Sequence, residues 1–304
     1  MIISASRRTD IPAFFGEWMM KRISEGFFYR VNPFNAKQVS KVSLLPQDVQ
    51  VIVFWSKNPK PFLKHIDALD RHGYRYYFQF TLNDYPTQFE PGVPPLGSRI
   101  DTFLRISERL GPDRVVWRYD PIMVSSISPM DDQLERISAI ASQLKGAAKR
   151  LTVSFMDFYG KVERRLELLE KQHGITFTDI TAPEHRDMLD LASRQLAEIA
   201  RRNGMEIETC AEAVDLESCG ITHGRCIDPA FIRRAWGIEL PYKKDPNQRP
   251  ECLCTQAVDV GMYNTCSFNC TYCYAIQSEK AVRAALKRHD PASPSLLYNY
   301  DPIP

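Results

Sequence analysis

No cysteine occurs in the first 209 residues of this 304-residue chain; all eight lie between Cys210 and Cys273. A secreted disulfide framework spreads its cysteines along the chain, so this clustering favours metal ligation in a reducing compartment. No apolar run approaches the roughly 18 residues a membrane span needs. The N-terminus, Met1-Ile-Ile-Ser-Ala-Ser-Arg-Arg, carries its charges after its apolar run, the reverse of a secretory signal. A cytoplasmic location is expected, with no membrane partner. Net charge is only +2, too little for a strong field toward nucleic acid or anionic lipid. No Gly-x-Gly-x-x-Gly turn and no Gly-x-x-x-x-Gly-Lys loop is present, so nucleotide-binding doubly wound folds lack their phosphate cradle. No repeat of fixed period is found.

Short apolar runs alternate with helical stretches. Ile2–Ala5, Val49–Trp55, Arg75–Leu82, Arg114–Tyr119, Leu151–Phe155 and Met205–Thr209 read as strands apolar on both faces. Helices are expected over 12–25, 59–71, 98–110, 129–149, 161–173 and 183–203. Strands of this kind, alternating with helices, indicate a parallel sheet covered by helices. With six or seven strands, an α/β fold of the partial or closed TIM-like βα barrel type is expected. The expected domain runs 1–289, with a hairpin insertion at about 27–44 around Asn32-Pro-Phe-Asn and a Cys-rich region at about 210–275. A Pro-rich tail, 290–304, follows. Gln256–Val260 is a candidate last strand and 275–289 a last helix.

Between these two lies Thr265-Cys266-Ser267-Phe268-Asn269-Cys270-Thr271-Tyr272-Cys273, a Cys-x3-Cys-x2-Cys loop. Three thiolates can hold three irons of a cubane and leave the fourth open to a small molecule; four would close the site. A zinc knuckle or purely structural cluster is the bland alternative, although zinc usually takes four local ligands in tighter Cys-x2-Cys pairs.

This loop resembles the signature of the radical S-adenosylmethionine (radical SAM) family, Cys-x3-Cys-x-aromatic-Cys. The resemblance implies a [4Fe–4S] cluster on Cys266, Cys270 and Cys273, S-adenosylmethionine at the open iron, and Tyr272 and Asn269 as cofactor-binding neighbours. That family carries the loop after its first barrel strand. Here the implied arrangement is a circularly permuted barrel, in which Gln256–Val260 is the usual first strand and Ile2–Ser6 the second. The whole chain also resembles a bacterial family, domain-of-unknown-function family eighteen-forty-eight. That resemblance rests on Ile3-Ser-Ala-Ser-Arg-Arg-Thr-Asp-Ile-Pro, Phe54-Trp-Ser-Lys-Asn-Pro, Arg118-Tyr-Asp-Pro and the terminal cysteine loop. It implies a domain extent without a reaction.

Five cysteines remain: Cys210, Cys219, Cys226, Cys252 and Cys254. Four of them could hold a second closed site, a [4Fe–4S] cluster or zinc. The favoured set is Cys210, Cys219, Cys226 and one of Cys252 and Cys254. Free thiols and core packing are the alternative. His223 lies between two of these cysteines. In α/β barrels, chemistry gathers at the C-terminal ends of the strands. Those ends supply Arg7, Arg8, Asp10, Lys57, Asn83, Arg118, Asp120 and Glu208 as candidate substrate-binding residues. Arg7, Lys57 and Arg118 would converge on an anion. A ring of structural ion pairs is the competing reading. Trp55 and Trp117 read as core.

The leading expectation is an iron–sulfur enzyme of radical SAM type acting on a small polar or anionic molecule. An electron donor such as ferredoxin or flavodoxin would be its partner. One alternative is a metal-dependent barrel lyase or hydrolase whose open iron acts as a Lewis acid. Another is a non-enzymatic redox-sensing or nucleic-acid-binding module with structural metal; the near-neutral charge argues against nucleic acid.

Overall fold

The computed structural model describes residues 1–158 and 160–300. Its centre is one parallel sheet of eight strands. In chain order these are β1 (Ile2–Ala5), β2 (Val51–Ser56), β3 (Tyr76–Thr81), β4 (Val115–Ile122), β5 (Arg150–Phe155), β6 (Glu206–Thr209), β7 (Thr222–His223) and β8 (Val258–Asp259). Their order across the sheet is β7-β6-β5-β4-β3-β2-β1-β8. Seven strands thus follow chain order, and the last joins the first edge. Ile3 and Ser4 of β1 lie beside Val258 and Asp259 of β8. The sheet does not close, so a complete barrel is not formed; β7 and β8 are its two edges.

The strands are buried on both faces because each face has its own cover. On β2, Ile52 and Phe54 point into the main core, with Phe78, Phe80, Trp117, Leu151 and Val153 from the neighbouring strands. Helices cover this side: α1 (Ile11–Phe14), α2 (Gly16–Glu25), α3 (Ile66–Arg71), α4 (Leu96–Leu110), α5 (Met130–Gln143) and α7 (Arg186–Arg202), whereas α6 (Gly160–His173) packs in a third cluster with Phe89 and Phe268. Val51 and Val53 point the other way, with Ile2, Tyr77 and Val116. That face is covered by the Cys-rich segment, including α8 (Pro229–Trp236). Strict alternation along β2 therefore separates two cores, as the two-residue period of a strand requires.

The hairpin insertion forms as two antiparallel strands, Phe27–Asn32 and Asn35–Ser43. The long helix expected over 129–149 stops at Gln143, and 59–71 divides into a 3-10 turn and the short α3. The last helix, α9 (Glu279–Leu286), is shorter than expected. The tail through Tyr300 is docked. Trp18 Nε1 donates to the carbonyl of Ser293 at 2.9 Å, Tyr29 N to that of Pro294 at 2.9 Å, and Leu296 and Leu297 are buried. Residues 301–304 lie outside the described residues. Among the described residues, no helix is long and apolar enough to cross a membrane.

Candidate functional site

The cysteine loop follows β8 and lies over the C-terminal edge of the sheet. Asp259, at the end of β8, fixes this start. Its carboxylate accepts from Ser4 Oγ (3.1 Å), Ser6 Oγ (2.5 Å), the Arg7 amide (3.0 Å) and the Gly261 amide (2.9 Å), and pairs with Arg8 at 3.2 Å. Thr9 and Thr265 share a hydrogen bond of 2.6 Å, and both hydroxyls reach the Met262 carbonyl. The loop is thus tied to the segment after β1, which explains why Thr265 is fully buried.

Its far side rests on the loop after β3. The Gly92 amide donates to the Phe268 carbonyl at 3.1 Å, and the Thr271 amide to the Phe89 carbonyl at 3.0 Å. Asn264 and Asn269 take left-handed backbone angles, φ +60° and +53°, which asparagine tolerates better than most residues. Arg165, on α6, donates to the carbonyls of Cys270 (3.1 Å) and Cys273. A Cβ on Gly92 would sit 2.9 Å from the carbonyl oxygens of Ser267 and Phe268. Gly92→Ala therefore pushes on loop backbone rather than on a movable side chain. It is expected to cost about 1–3 kcal/mol, as overpacking does. Urea unfolding of the variant against wild type measures this; an unchanged midpoint would show that the loop yields freely.

Cys270 is buried and Cys266 and Cys273 are half-buried. Burial pushes the Cys270 thiol up to about 12 against the pull of the nearby Lys57 ammonium. Burial likewise raises Cys266, with the Asp10 charge adding to it, and Cys273. The three sulfurs sense one another through their charges, without a sulfur–sulfur hydrogen bond among the described residues. Beside them Lys57 Nζ pairs with Glu90 at 2.7 Å and reaches the Tyr272 hydroxyl at 2.9 Å. Tyr272 also bonds Glu90, and Asn83 Nδ2 donates to the Tyr272 oxygen at 3.1 Å. Burial and the Glu90 carboxylate hold the Tyr272 phenol well above its ordinary value. Asp10 accepts from Ser56 Oγ (2.7 Å), the Lys57 amide (2.7 Å) and the Ala13 amide (3.0 Å), and burial pushes it up to about 6.

A family model described as a domain of unknown function, DUF1848, matches residues 2–275. The chain belongs to this family. No curated protein matches it.

The remaining candidate cations of this DUF1848 chain each stand beside a carboxylate. Lys57 is paired with Glu90, Arg118 with Asp120, and Arg7 stands 3.8 Å from Asp245. Burial works against the Asp120 charge, but Arg118 and a hydroxyl bond from Ser154 hold the carboxyl below its usual range. Glu208 accepts from Thr152 Oγ1 at 2.8 Å and sits 3.9 Å from Arg150. Each of these charges thus has an opposite charge beside it, although Arg7 Nη2 finds no hydrogen-bond partner among the described residues. Trp55 packs against the second core but is only half-buried, with the guanidiniums of Arg7 at 5.0 Å and Arg118 at 5.2 Å from its ring.

Arg118 serves the other cysteine group. Its Nη1 donates to Cys226 Sγ at 2.8 Å, and Cys226 Sγ donates to Cys210 Sγ at 3.1 Å. All four thiols are free; the Cys226 side chain also lies within reach of Cys254, and Cys254 of Cys252. The favoured set changes accordingly: Cys254 and Cys252 both belong, and Cys219 does not share these contacts. Cys219 is buried in a short turn beside Ser218, 4.0 Å away. His223, on edge strand β7, is exposed and bonds the Glu251 carbonyl at 2.9 Å. Among the described residues, no three or more His, Cys, Asp or Glu side chains are placed so that they could hold a metal ion as they stand.

Glu90, Arg165 and Asp259 were not among the residues read from the sequence. Glu90 lies in a Pro-rich loop after β3, and that position at a strand's C-terminal end was its only signal. Arg165 sits on a charged helix that offered no signal of its own, yet it is half-buried, and its Nε finds no partner among the described residues.

Proposed function

We propose that this protein is an iron–sulfur enzyme of radical SAM type, cytoplasmic, with its barrel circularly permuted and open. Cys266, Cys270 and Cys273 would hold a [4Fe–4S] cluster. The observation that carries this reading is the pairing of β8 with β1. It sets the strand and the cysteine loop that follows it beside β1, an order that a permuted barrel would also have.

The donor set fits the group. Three thiols share one corner of the fold, two cations stand near, and no sulfur–sulfur bond draws them together. A cubane takes each thiolate on a different iron, so its ligands stand apart rather than in contact. When bound, such a cluster supplies an electron and an open coordination site for S-adenosylmethionine. The chain's own residues do the rest. Lys57 and Arg165 favour the thiolate forms of Cys270 and Cys273. Phe14 packs 4.7 Å from Phe268, and Phe89 lies in the same apolar cluster, excluding water from that side of the loop. The Tyr272 hydroxyl, fixed by Glu90, Lys57 and Asn83, orients its ring against the loop. A small polar or anionic substrate would enter from the C-terminal edge, where the strand-end residues gather.

The test is paramagnetic resonance of the anaerobically reduced protein, with and without S-adenosylmethionine. A cluster signal that changes on addition supports the reading. A signal indifferent to S-adenosylmethionine favours a Lewis-acid or structural role for the iron.

A further inference from the structure

The second cysteine group lies on the opposite face of the sheet from the long helices. Cys210 follows β6, Cys226 follows β7, and Cys252 and Cys254 precede β8. Their sulfurs form a connected chain, Cys210–Cys226–Cys254–Cys252. We propose that Cys210, Cys226, Cys252 and Cys254 form a closed tetrahedral zinc site that pins the Cys-rich segment to the sheet.

Three observations carry this. The first is spacing. Zinc–sulfur bonds of about 2.3 Å in a tetrahedron place the sulfurs about 3.8 Å apart. The Cys210 and Cys226 sulfurs stand at 3.1 Å, so a single ion needs them to part only slightly. A cubane would need far wider separation. Drawing the four sulfurs into a tetrahedron requires them to rearrange from their present positions and to lose the thiol protons to solvent.

The second is charge. Four thiolates on a divalent ion carry two negative charges, and two guanidiniums face them, the buried Arg118 and the half-buried Arg7. Arg118 already donates to Cys226 Sγ. Arg7 points among Cys254, Cys226 and Cys252, and its buried Nη2 finds no partner among the described residues. A thiolate beside it would satisfy that donor.

The third is the surrounding frame. Outer hydrogen bonds that orient the ligands are part of a metal site. Here the Ile227 amide donates to Cys254 Sγ at 3.4 Å. Tyr77 Oη and Gln79 Nε2, both from β3, donate to the Cys226 carbonyl at 2.7 and 2.9 Å. Ile227, Phe231 and Val53 exclude water around it. Soft thiolates in a dry, closed site suit zinc.

This site shares no residue with the cysteine loop, so the two readings fail separately. The test uses the full chain. Elemental analysis should find about one zinc per chain in wild type, Cys270→Ala and Cys219→Ser, and none in Cys226→Ser or Cys254→Ser. Zinc-edge X-ray absorption on wild type should give four sulfurs at about 2.3 Å, a readout independent of whether the serine variants fold. Wild type without zinc, or with nitrogen or oxygen in the zinc shell, would overturn the assignment. So would a second cluster's worth of iron surviving in Cys270→Ala, or a Cys210–Cys226 disulfide in the intact mass of unreduced protein.

Discussion

Cys270→Ala, purified without oxygen, should carry about four fewer irons, and as many fewer sulfides, than wild type. The expected loss is a whole cluster rather than one iron, because two thiolates leave two corners of a cubane without protein ligands. Cys270 is the fitting residue to remove. It is the buried member of the three, at 4% exposure, and it lies closest in charge to Lys57. Alanine fills most of its place, so the loop keeps its seat on Gly92, Phe89 and Arg165 through backbone bonds that the substitution leaves intact. Iron and acid-labile sulfide are counted together. Equal counts in variant and wild type would remove this loop as a ligand set, whatever the other cysteines hold.

Much of the sheet was legible because its strands are apolar on both faces, a pattern with few solutions besides a helix-covered parallel sheet. The pairing of the last strand with the first was readable only through the resemblance to the radical SAM family, which places such a loop after the first barrel strand and so sets Ile2–Ser6 beside Gln256–Val260. Two elements were not readable. Strand β7 is two exposed residues, Thr222 and His223, with no apolar alternation to reveal it. The Cys-rich segment carries little periodicity, yet it supplies the second core of the fold. Its burial comes from long-range closure over the sheet, which local patterns do not encode. The same holds for the ion pairs. Arg7, Lys57 and Arg118 look like a converging cationic pocket when listed by strand end. Asp120 lies two residues from Arg118 and was in view, but Asp245 and Glu90, beside Arg7 and Lys57, come from loops distant in sequence, and only the fold brings them there.

Lys57→Met should destabilise the protein by about 3–5 kcal/mol, the usual cost of removing one partner from a buried ion pair. The argument starts from Glu90, whose side chain is 2% exposed, against 15% for Lys57. Burial opposes the Lys57 charge, but Glu90 and Cys270 together raise its proton affinity above the ordinary value, so it stays an ammonium. Methionine matches the length of the lysine stem and fills its volume, which separates the loss of charge from the loss of packing. Glu90 then keeps only neutral donors, Tyr272 and Asn83, with Arg99 near it but bonded to the carbonyls of Pro94 and Asn83. Adding Glu90→Gln to Lys57→Met should recover most of the loss, because the amide needs no countercharge in that site. Urea unfolding of the wild type, both single variants and the double variant closes the cycle. A Lys57→Met midpoint equal to wild type would mean that Glu90 is not held as a buried carboxylate by this lysine. The strut under Tyr272 and the cysteine loop would then have to be sought elsewhere.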